Sequence, residues 1–320
     1  MRVRHEFMWA TLVHLTTNCW YEEGHAYHGK PSWIWANPGS SKLRFDLEFF
    51  YEYLDELKAK GTNTVILDVG DAVRFDSHPE IAVEGAFSKD EMRAILDRMD
   101  AMGLEVIPKL NFSACHDYWM GEYARMLSTK IYYDFCRDII AETVELFEPR
   151  FFHIGMDEEN YELQKEYDYV FIRQHDAWWH DLYFFVGEVE KHGVRAMMWS
   201  DYARERPEEF IEKCPRSVVQ CVWYYFNKYG DGVEDRFKIR VRPLALLDQA
   251  GFDQLPTGAV CFDKDALPML AKYCKRRLTK DRLLGFAQTT WDPVLRDWRE
   301  ELYEGAERVR EARELYESEE

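Results

Sequence analysis

The sequence lacks the long apolar segments that mark a membrane protein. No segment approaches the roughly 20 consecutive apolar residues that a membrane-spanning helix needs. The apolar run at residues 7–15 is short, contains His14 and lacks a small-residue cleavage site, so we interpret it as a strand and not as a signal peptide. We therefore predict a cytoplasmic protein without a membrane partner, and a secretion signal already removed from the chain is the alternative.

The patterns of a disulfide framework and of a metal site are also missing. The seven cysteines are scattered, their number is odd, and no two form a Cys-x-x-Cys pair, which indicates reduced thiols. There is no His-x-His in the first strand and no His-x-x-x-His on a helix. His25 and His28 lie in a predicted loop, and His175 and His180 are five residues apart. We predict neither a bound metal nor a cofactor.

Basic residues are outnumbered by acidic ones. The chain has 41 Lys and Arg against 59 Asp and Glu, a formal charge of −18 at pH 7. This balance argues against nucleic acid and anionic membranes as partners, but it does not identify a substrate. The 320 residues are 47% hydrophobic, which is enough for a large core in one barrel or in two smaller domains.

Short apolar runs alternate with longer amphipathic ones along the whole chain. The predicted strands are residues 7–15, 63–69, 104–110, 151–155, 195–199, 218–223, 258–262 and 283–288. The predicted helices are residues 45–60, 88–103, 128–147, 171–192, 208–214, 244–250, 265–277 and a last one opened by Asp292 and Pro293. Ser88 and Glu91 form a capping box, and a long loop is predicted at residues 20–41.

Eight strand–helix units without a break in composition predict one fold. Alternation implies a parallel sheet, and eight units imply an α/β protein with a single (β/α)8 TIM barrel, one domain over residues 1–320. The alternative is a doubly wound open sheet, but no Gly-x-Gly-x-x-Gly follows the first strand. The charged segment 297–320 is interpreted as the solvated last helix, and a homo-oligomer contact is the alternative.

The fourth predicted strand ends in three acids, Asp157, Glu158 and Glu159. Barrel enzymes place their chemistry at the C-terminal ends of the strands. Because side chains alternate along a strand, Asp157 and Glu158 would point apart and reach different atoms of one sugar. That arrangement suits hydrolysis assisted by the substrate's own 2-acetamido oxygen, in which one acid orients the amide and the other protonates the leaving oxygen. The alternative is that the acids only begin the next helix.

The other strand ends carry side chains that suit a sugar. Aromatic rings pack on C–H faces, and carboxylate, amide and imidazole groups bind hydroxyls. Tryptophan is also a common core residue, so packing is the alternative for each ring. The predicted substrate-binding residues are His14, Asp71, Arg74, Asn111, His116, Trp119, His153, Trp199, Asp201, Trp223, Tyr224 and Trp291.

These motifs resemble the catalytic barrel of glycoside hydrolase family 20, the β-N-acetylhexosaminidases. Residues 153–158 (His-Ile-Gly-Met-Asp-Glu) are similar to the family's His-x-Gly-Gly-Asp-Glu, and residues 105–108 followed by His116 resemble its third strand. Residues 71–80 look like the family's loop after strand 2. The resemblance implies that Asp157 orients the acetamido group and that Glu158 acts as general acid and then base. It further implies supporting roles for His116 and His153, a sugar site lined by Trp199, Trp223 and Trp291, and an acetamido-binding tyrosine at Tyr224 or Tyr225.

Four departures separate this chain from the family pattern. Met156 replaces the second glycine, and residues 14–17 (His-Leu-Thr-Thr) lack the arginine of the family's Asp-x-x-Arg. Lys109, Asn111 and Cys115 stand where an acid, an acid and a glycine are usual. The family's small preceding domain has no counterpart in these 320 residues. The missing arginine leaves the identity of the sugar open.

The sequence thus predicts an exo-acting, retaining glycosidase whose substrate is a small molecule or an oligosaccharide with a β-linked N-acetylhexosamine or a related 2-acetamido sugar. Two alternatives stay open. One is a glycosidase that acts on a different sugar through a protein nucleophile. The other is a barrel that binds glycans without hydrolysing them.

Overall fold

The structure is a computed structural model that describes residues 2–19, 39–165 and 169–318. Most of the loop predicted at residues 20–41, including His25 and His28, lies outside these ranges. The eight strands are β1 (Met8–His14), β2 (Thr64–Asp68), β3 (Glu105–Lys109), β4 (Phe151–His153), β5 (Arg195–Trp199), β6 (Val219–Cys221), β7 (Thr257–Ala259) and β8 (Gly285–Thr289). The α-helices are α1 (Leu47–Ala59), α2 (Lys89–Ala101), α3 (Lys130–Phe147), α4 (Tyr161–Gln164), α5 (Asp176–Glu190), α6 (Asp201–Glu205), α7 (Pro207–Lys213), α8 (Asp235–Gln249), α9 (Ala266–Arg277) and α10 (Arg299–Glu317).

The strands form one parallel sheet that curves into a nearly closed barrel. Their order is β6-β5-β4-β3-β2-β1-β8-β7, and every ladder is parallel. Between the outer strands, the Tyr224 N–H donates to the Thr257 carbonyl at 2.8 Å and the Thr257 N–H donates to the Val222 carbonyl at 2.9 Å. The predicted (β/α)8 barrel is therefore confirmed.

Side chains of each strand alternate between two apolar layers. Leu12, Ile66 and Ile107 belong to a small cluster inside the barrel, whereas Val13 and Leu67 belong to a larger cluster between strands and helices. The residues two places further along β1, β2 and β3 therefore form the next inward layer, nearer to the C-terminal ends of the strands. That layer is polar, and it becomes the floor of the site described below.

Local turn chemistry sets most helix boundaries as predicted. The Ser88 side chain accepts from the Glu91 N–H and the Glu91 carboxylate accepts from the Ser88 N–H, which completes the capping box of α2. Thr129 caps α3, since its side chain accepts from the Tyr132 N–H. α2 is followed by Gly103 at φ +78°, a backbone conformation that glycine adopts without a steric penalty.

Three predicted boundaries are wrong. The helix expected from residue 171 begins at Asp176, and the strand expected at residues 258–262 is the short β7. The helix expected at residues 244–250 starts much earlier, at Asp235, and contains Pro243. Its first turns are rich in charged residues, so their packing in the fold, and not a clear apolar period, makes them helical.

The prediction that Asp292 opens the last helix is also wrong. α10 begins at Arg299, after a short 3₁₀ helix over Arg296–Trp298. Asp292 is buried at the end of β8, and its carboxylate oxygens find no hydrogen-bond partner among the described residues. Burial, together with the charge of Glu301, raises the pKa of Asp292 to about 8.

Two further properties follow from the described residues. Six of the seven cysteines are buried thiols. Within the described ranges, no helix is both long enough and apolar enough to cross a membrane.

Candidate active site

The predicted acids lie in an irregular turn that follows β4. Gly155, Met156 and Glu158 have φ values of +74°, +71° and +55°. A Cβ atom on Gly155 would lie 1.9 Å from the Asn111 side-chain oxygen, so only glycine fits there. β4 ends at His153, and strand alternation therefore does not govern Asp157 and Glu158. The expectation that the two acids point apart is wrong, because both carboxylates reach the same imidazole.

Asp157 is held by partners from the loop after β3. Asn111 donates to its Oδ1 atom at 2.8 Å, and His116 Nε2 lies 3.2 Å from its Oδ2 atom. The Ser113 hydroxyl donates to the Asp157 backbone carbonyl. Burial disfavours the charged carboxylate, but His116, Lys109 and Asn111 outweigh it and lower the pKa of Asp157. Asp157 is therefore ionised at neutral pH.

His116 lies between the two acids. Its Nε2 atom is also 3.4 Å from Glu158 Oε2. Burial opposes a charged ring, yet the charges and hydrogen bonds of Asp157 and Glu158 raise the pKa of His116 to about 10. The ring is thus an imidazolium at neutral pH, and its Nε2 atom lies close to both acid side chains.

The two acids differ in their access to solvent. The side chain of Glu158 is 37% exposed, whereas that of Asp157 is 10% exposed. Glu158 has φ +55°, and the Cys115 thiol donates to its backbone carbonyl. Glu158 therefore presents its carboxyl to the open side of the site, and Asp157 lies deeper.

Glu159 does not lie in the first turn of a helix, so the alternative that these acids begin the next helix is wrong for this residue. α4 begins at Tyr161, and Glu159 is an almost fully buried partner of Arg173, with Nε and Oε1 2.8 Å apart. Arg173 also pairs with Asp181 at 3.0 Å and donates to the Phe112 carbonyl at 2.6 Å. This buried network joins the turn after β4 to the loop after β3. Sequence reasoning missed it because no local pattern links residues 159, 173 and 181.

The floor of the site contains a buried ion pair from neighbouring strands. Lys109 Nζ lies 2.5 Å from Asp68 Oδ2, and His14 Nδ1 lies 3.2 Å from the same atom. Burial disfavours both charges, but Lys109 and His14 hold the pKa of Asp68 well below its usual range, and Asp68 raises the pKa of Lys109. Lys109 was not predicted as a site residue, although alternation along β3 places it inward.

Aromatic rings continue this floor. The Trp199 ring lies 4.4 Å from His153 and 6.2 Å from Trp291, and Trp291 lies 5.6 Å from His14. Trp291 has φ +68°, which is strained for a tryptophan and fixes its ring between these two neighbours. Burial and the charge of Lys109 lower the pKa of His153 to about 3, so that ring is neutral. Its Nδ1 atom accepts from the Gly155 N–H at 3.1 Å.

A third carboxyl lies at the start of α6, just after β5. Asp201 accepts a hydrogen bond from Trp223 Nε1 at 2.9 Å. Burial and the charges of Asp157 and Glu158 raise the pKa of Asp201 to about 7, against the lowering effect of Arg204. The charges of both acids therefore reach Asp201, and Trp223 is joined to it by this hydrogen bond. Asp71 lies at the ends of β1 and β2, where Asn18 donates to it at 2.7 Å, and burial raises its pKa to about 7.

Three predicted residues lie elsewhere. Arg74 is exposed, and its charge acts on Glu91 at the start of α2. Trp119 packs between strands and helices and donates to the Asn111 carbonyl at 2.9 Å, so it supports the site from behind. Tyr224 also faces the outer layer, where its hydroxyl donates to the Lys228 carbonyl.

Tyr225, the other tyrosine suggested by the resemblance, faces the site in place of Tyr224. Its ring lies 5.1 Å from Trp223, and the charges of Asp157 and Glu158 act on its hydroxyl. Alternation after β6 explains the difference, because residues 223 and 225 share one side of the chain and residue 224 takes the other.

Within the part of the chain that the structure describes, one group of side chains has a spacing that could hold a metal ion. One ligand atom each from His116, Asp157 and Glu158 lie within 4.8 Å of one another. A metal on His116 would first have to displace the proton that the raised pKa of this ring retains.

Comparison with known proteins gives a likeness of structure. No family model matches the sequence, and no curated protein matches it. The β-N-acetylhexosaminidase from Bacteroides fragilis NCTC 9343 superposes with a TM-score of 0.62 at 12% identity, over 96% of this chain and 66% of that one. The exo-β-N-acetylglucosaminidase from Vibrio harveyi, solved with N-acetylglucosamine, gives a TM-score of 0.61 at 13% identity, over 96% of this chain and 54% of that one.

This chain has the fold of the family 20 hexosaminidase barrel. A third solved structure, the family 20 β-N-acetylhexosaminidase from Streptomyces coelicolor A3(2), agrees, with a TM-score of 0.60 at 15% identity. It is covered over 64% of its length, so this chain spans between about half and two thirds of these solved chains. The structural resemblance predicted from the motif at residues 153–158 is confirmed at the level of the fold.

Proposed function

We propose that this chain is a retaining glycosidase that releases a β-linked 2-acetamido sugar, with Glu158 as general acid and base and Asp157 as the residue that orients the acetamido group. One observation carries the proposal: a buried, ionised carboxylate and a more exposed carboxyl share the imidazolium of His116. A fixed anion beside an accessible acid suits a reaction in which the substrate supplies its own nucleophile.

In the proposed first step, the acetamido oxygen attacks the anomeric carbon while the bond from that carbon to the leaving oxygen breaks. Glu158 donates its proton to the leaving oxygen. Asp157 accepts a hydrogen bond from the acetamido N–H and stabilises the positive charge that develops on the oxazolinium ring. In the second step, Glu158 removes a proton from water, the water oxygen attacks the anomeric carbon, and the ring reopens with retention of configuration.

The network around the acids supports this division of roles. Asn111 and His116 fix the Asp157 carboxylate from two sides, so its orientation requires no rearrangement when the amide binds. Trp291 is partly exposed and offers a flat, largely apolar surface to a sugar, while the buried rings of Trp199 and His153 support it from below. Strand 1 lacks the family's arginine. In the polar layer below the acids, the buried cation is Lys109 on β3, which pairs with Asp68.

The proposal is tested by hydrolysis of aryl 2-acetamido-2-deoxy-β-glycosides. We expect Glu158→Gln and Asp157→Asn each to lower kcat/KM by about 10²- to 10⁴-fold, the usual contribution of a positioned acid or base. Glu162→Gln is the matched control, because Glu162 is exposed, lies four residues from Glu158 and pairs only with Lys165 among the described residues. Chelators are expected to leave the rate unchanged.

Two results would contradict the proposal. Full activity in both acid variants would remove the catalytic assignment. Equal rates on aryl glycosides that lack the acetamido group would remove the substrate-assisted route and favour a protein nucleophile. Asp201 would then be the candidate to test, because it follows a different strand, β5, and the charges of both acids act on its carboxyl.

A further inference from the structure

Two arginines lie against Trp223, the residue that joins Asp201 to the rim of the site. The guanidinium carbon of Arg204 on α6 is 5.0 Å from the centre of the Trp223 ring, and that of Arg240 on α8 is 5.5 Å from it. Trp223 donates to Asp201 at 2.9 Å, so both cations are tied to the site through one indole ring.

The two guanidinium groups differ in their partners. Arg204 pairs with Asp201 at 3.3 Å and with Glu205 at 3.6 Å. Arg240 is half-buried, and it makes neither a hydrogen bond nor an ion pair with any residue that the structure describes. A guanidinium carries five N–H donors in a planar fork, so Arg240 has donors left for an external acceptor.

The position of Arg240 is electrostatically unfavourable without such an acceptor. Burial and the nearby charge of Arg204 lower the pKa of Arg240, while Asp201 and Glu158 oppose that effect. Arg236, one turn earlier on α8, shows the ordinary arrangement: it lies over Phe237 at 4.6 Å and pairs with Glu234 at 3.0 Å. Among the described residues, Arg240 has the ring contact but no carboxylate within ion-pair distance.

An aromatic surface extends from the same place. The Arg240 guanidinium lies 6.0 Å from the Phe226 ring, and that ring lies 5.5 Å from Phe262, which is 46% exposed. Exposed aromatic rings beside a sugar site provide a platform for the C–H face of a second sugar. The charge of Glu158, the proposed donor to the leaving oxygen, acts on Arg240, and we therefore assign this platform to the leaving-group side.

We propose that Arg240, with Arg204 and Trp223, forms a subsite for an oxyanion, a carboxylate or a sulfate ester, on the sugar that follows the cleaved bond. The planar fork of Arg240 binds either group in the bidentate manner that arginine favours. The subsite rests on the proposed glycosidase function, and it adds to it an acidic saccharide as the class of substrate.

The test compares disaccharides that differ only in the leaving sugar. A 2-acetamido sugar β-linked to glucuronic acid is compared with the same sugar linked to glucose, and a galactose 6-sulfate acceptor is compared with galactose. We expect kcat/KM to favour at least one acidic substrate by about 10- to 100-fold, the effect of a charge-assisted hydrogen bond. Preference for the carboxylate, for the sulfate or for both supports the subsite and identifies its group.

Variants separate a subsite from a purely structural role of the arginine. Arg240→Met should abolish the ratio between acidic and neutral substrates, and Arg240→Lys should restore part of it, because it keeps the charge but not the fork. Arg236→Met, the matched control, should retain the ratio. The ratio should also fall as salt is added, since the contact is electrostatic and partly exposed.

The outcome can be distinguished from failure of the proposed function. If kcat/KM for all four substrates agrees within twofold, the subsite proposal is wrong and the proposed glycosidase function is retained. If no substrate is hydrolysed, calorimetric binding of the same four disaccharides to the Glu158→Gln protein still decides the question. Tighter binding of an acidic disaccharide that is lost in Glu158→Gln/Arg240→Met supports the subsite, and equal binding overturns it.

Discussion

The Nε2 atom of His116 lies 3.2 Å from the Oδ2 atom of Asp157, and both residues are buried at the mouth of the barrel. Each group shifts the other toward its charged form: the pKa of His116 is raised to about 10 and that of Asp157 is lowered. The pair is thus an imidazolium and a carboxylate across neutral pH. A fixed buried anion in the site depends on this contact.

Replacing His116 with Asn should lower both the free energy of unfolding and the hydrolytic activity. Removal of the cation leaves Asp157 buried with less compensation, and such a loss costs about 3–5 kcal/mol. We expect kcat/KM to fall by roughly 100-fold, because a displaced Asp157 misplaces the substrate's amide. Urea denaturation and hydrolysis of an aryl 2-acetamido glycoside measure the two effects.

The pH dependence of the same variant is a sharper test of the ion pair. The folded pKa of His116 is raised to about 10, above its unfolded value of about 6.5, so its contribution to stability is complete below the unfolded pKa and is lost as pH rises through the folded one. The wild type should lose up to about 1.4 kcal/mol per pH unit from this group in that window. Parallel pH profiles of wild type and His116→Asn would contradict the assignment.

Substitution of Gly155 by Ala should disrupt the turn that carries the acids. Gly155 and Gly193 have nearly equal φ values, +74° and +73°, so both substitutions carry the left-handed penalty of about 1–2 kcal/mol. Only at Gly155 does the new Cβ meet a neighbour, Asn111 Oδ1 at 1.9 Å, whereas Gly193 has nothing within 4 Å. Gly155→Ala should therefore cost at least about 1–3 kcal/mol more and reduce activity, since Asn111 orients Asp157. Similar unfolding free energies for the two variants would show that the close contact is unimportant.

The pair of Lys109 and Asp68 should contribute far more to stability than a surface pair. Lys109→Met leaves the buried Asp68 carboxylate without its nearest cation, and we expect a loss of about 3–5 kcal/mol. Lys42→Met is the control, because Lys42 and Glu84 are about 70% exposed, and its loss should stay below about 1 kcal/mol. The double variant Lys109→Met/Asp68→Asn should recover part of the loss. Chemical denaturation measures all three, and no recovery in the double variant would argue against charge as the cause.

Asp292 should make the protein less stable as the pH rises from about 4 to about 8. Its folded pKa is raised to about 8, so over this range the folded state keeps a proton that the unfolded state releases. Stability from this group is therefore highest below the unfolded pKa and declines toward the folded one. Asp292→Asn, which imitates the protonated form, should match the wild type at pH 4 and exceed it at pH 8 in thermal denaturation. A variant that is less stable at pH 8 would contradict this.

Much of the fold could be predicted because its determinants are local. The alternation of apolar runs, the capping box of Ser88 and Glu91, and the glycines that end helices each act within a few residues. The predicted starts of α8 and α10 were wrong because local pattern and packing disagree there. The charged first turns of α8 are helical, and Asp292, which has the sequence pattern of a helix cap, is buried.

By itself, the sequence determined the order of strands and helices and placed Asp157 and Glu158 at the end of the fourth strand. Both predictions depend only on neighbouring residues, namely the period of the apolar residues and the acids that directly follow the strand. Only the tertiary structure decided how these acids work together. Three contacts join residues that are far apart in the chain. They are the contact of both acids with His116, the ion pair of Glu159 and Arg173, and the packing of Arg240 on Trp223. Their distances and their burial follow from barrel closure and from the left-handed turn after β4. Because these groups are buried, the contacts shift their pKa values and so decide which of them are charged.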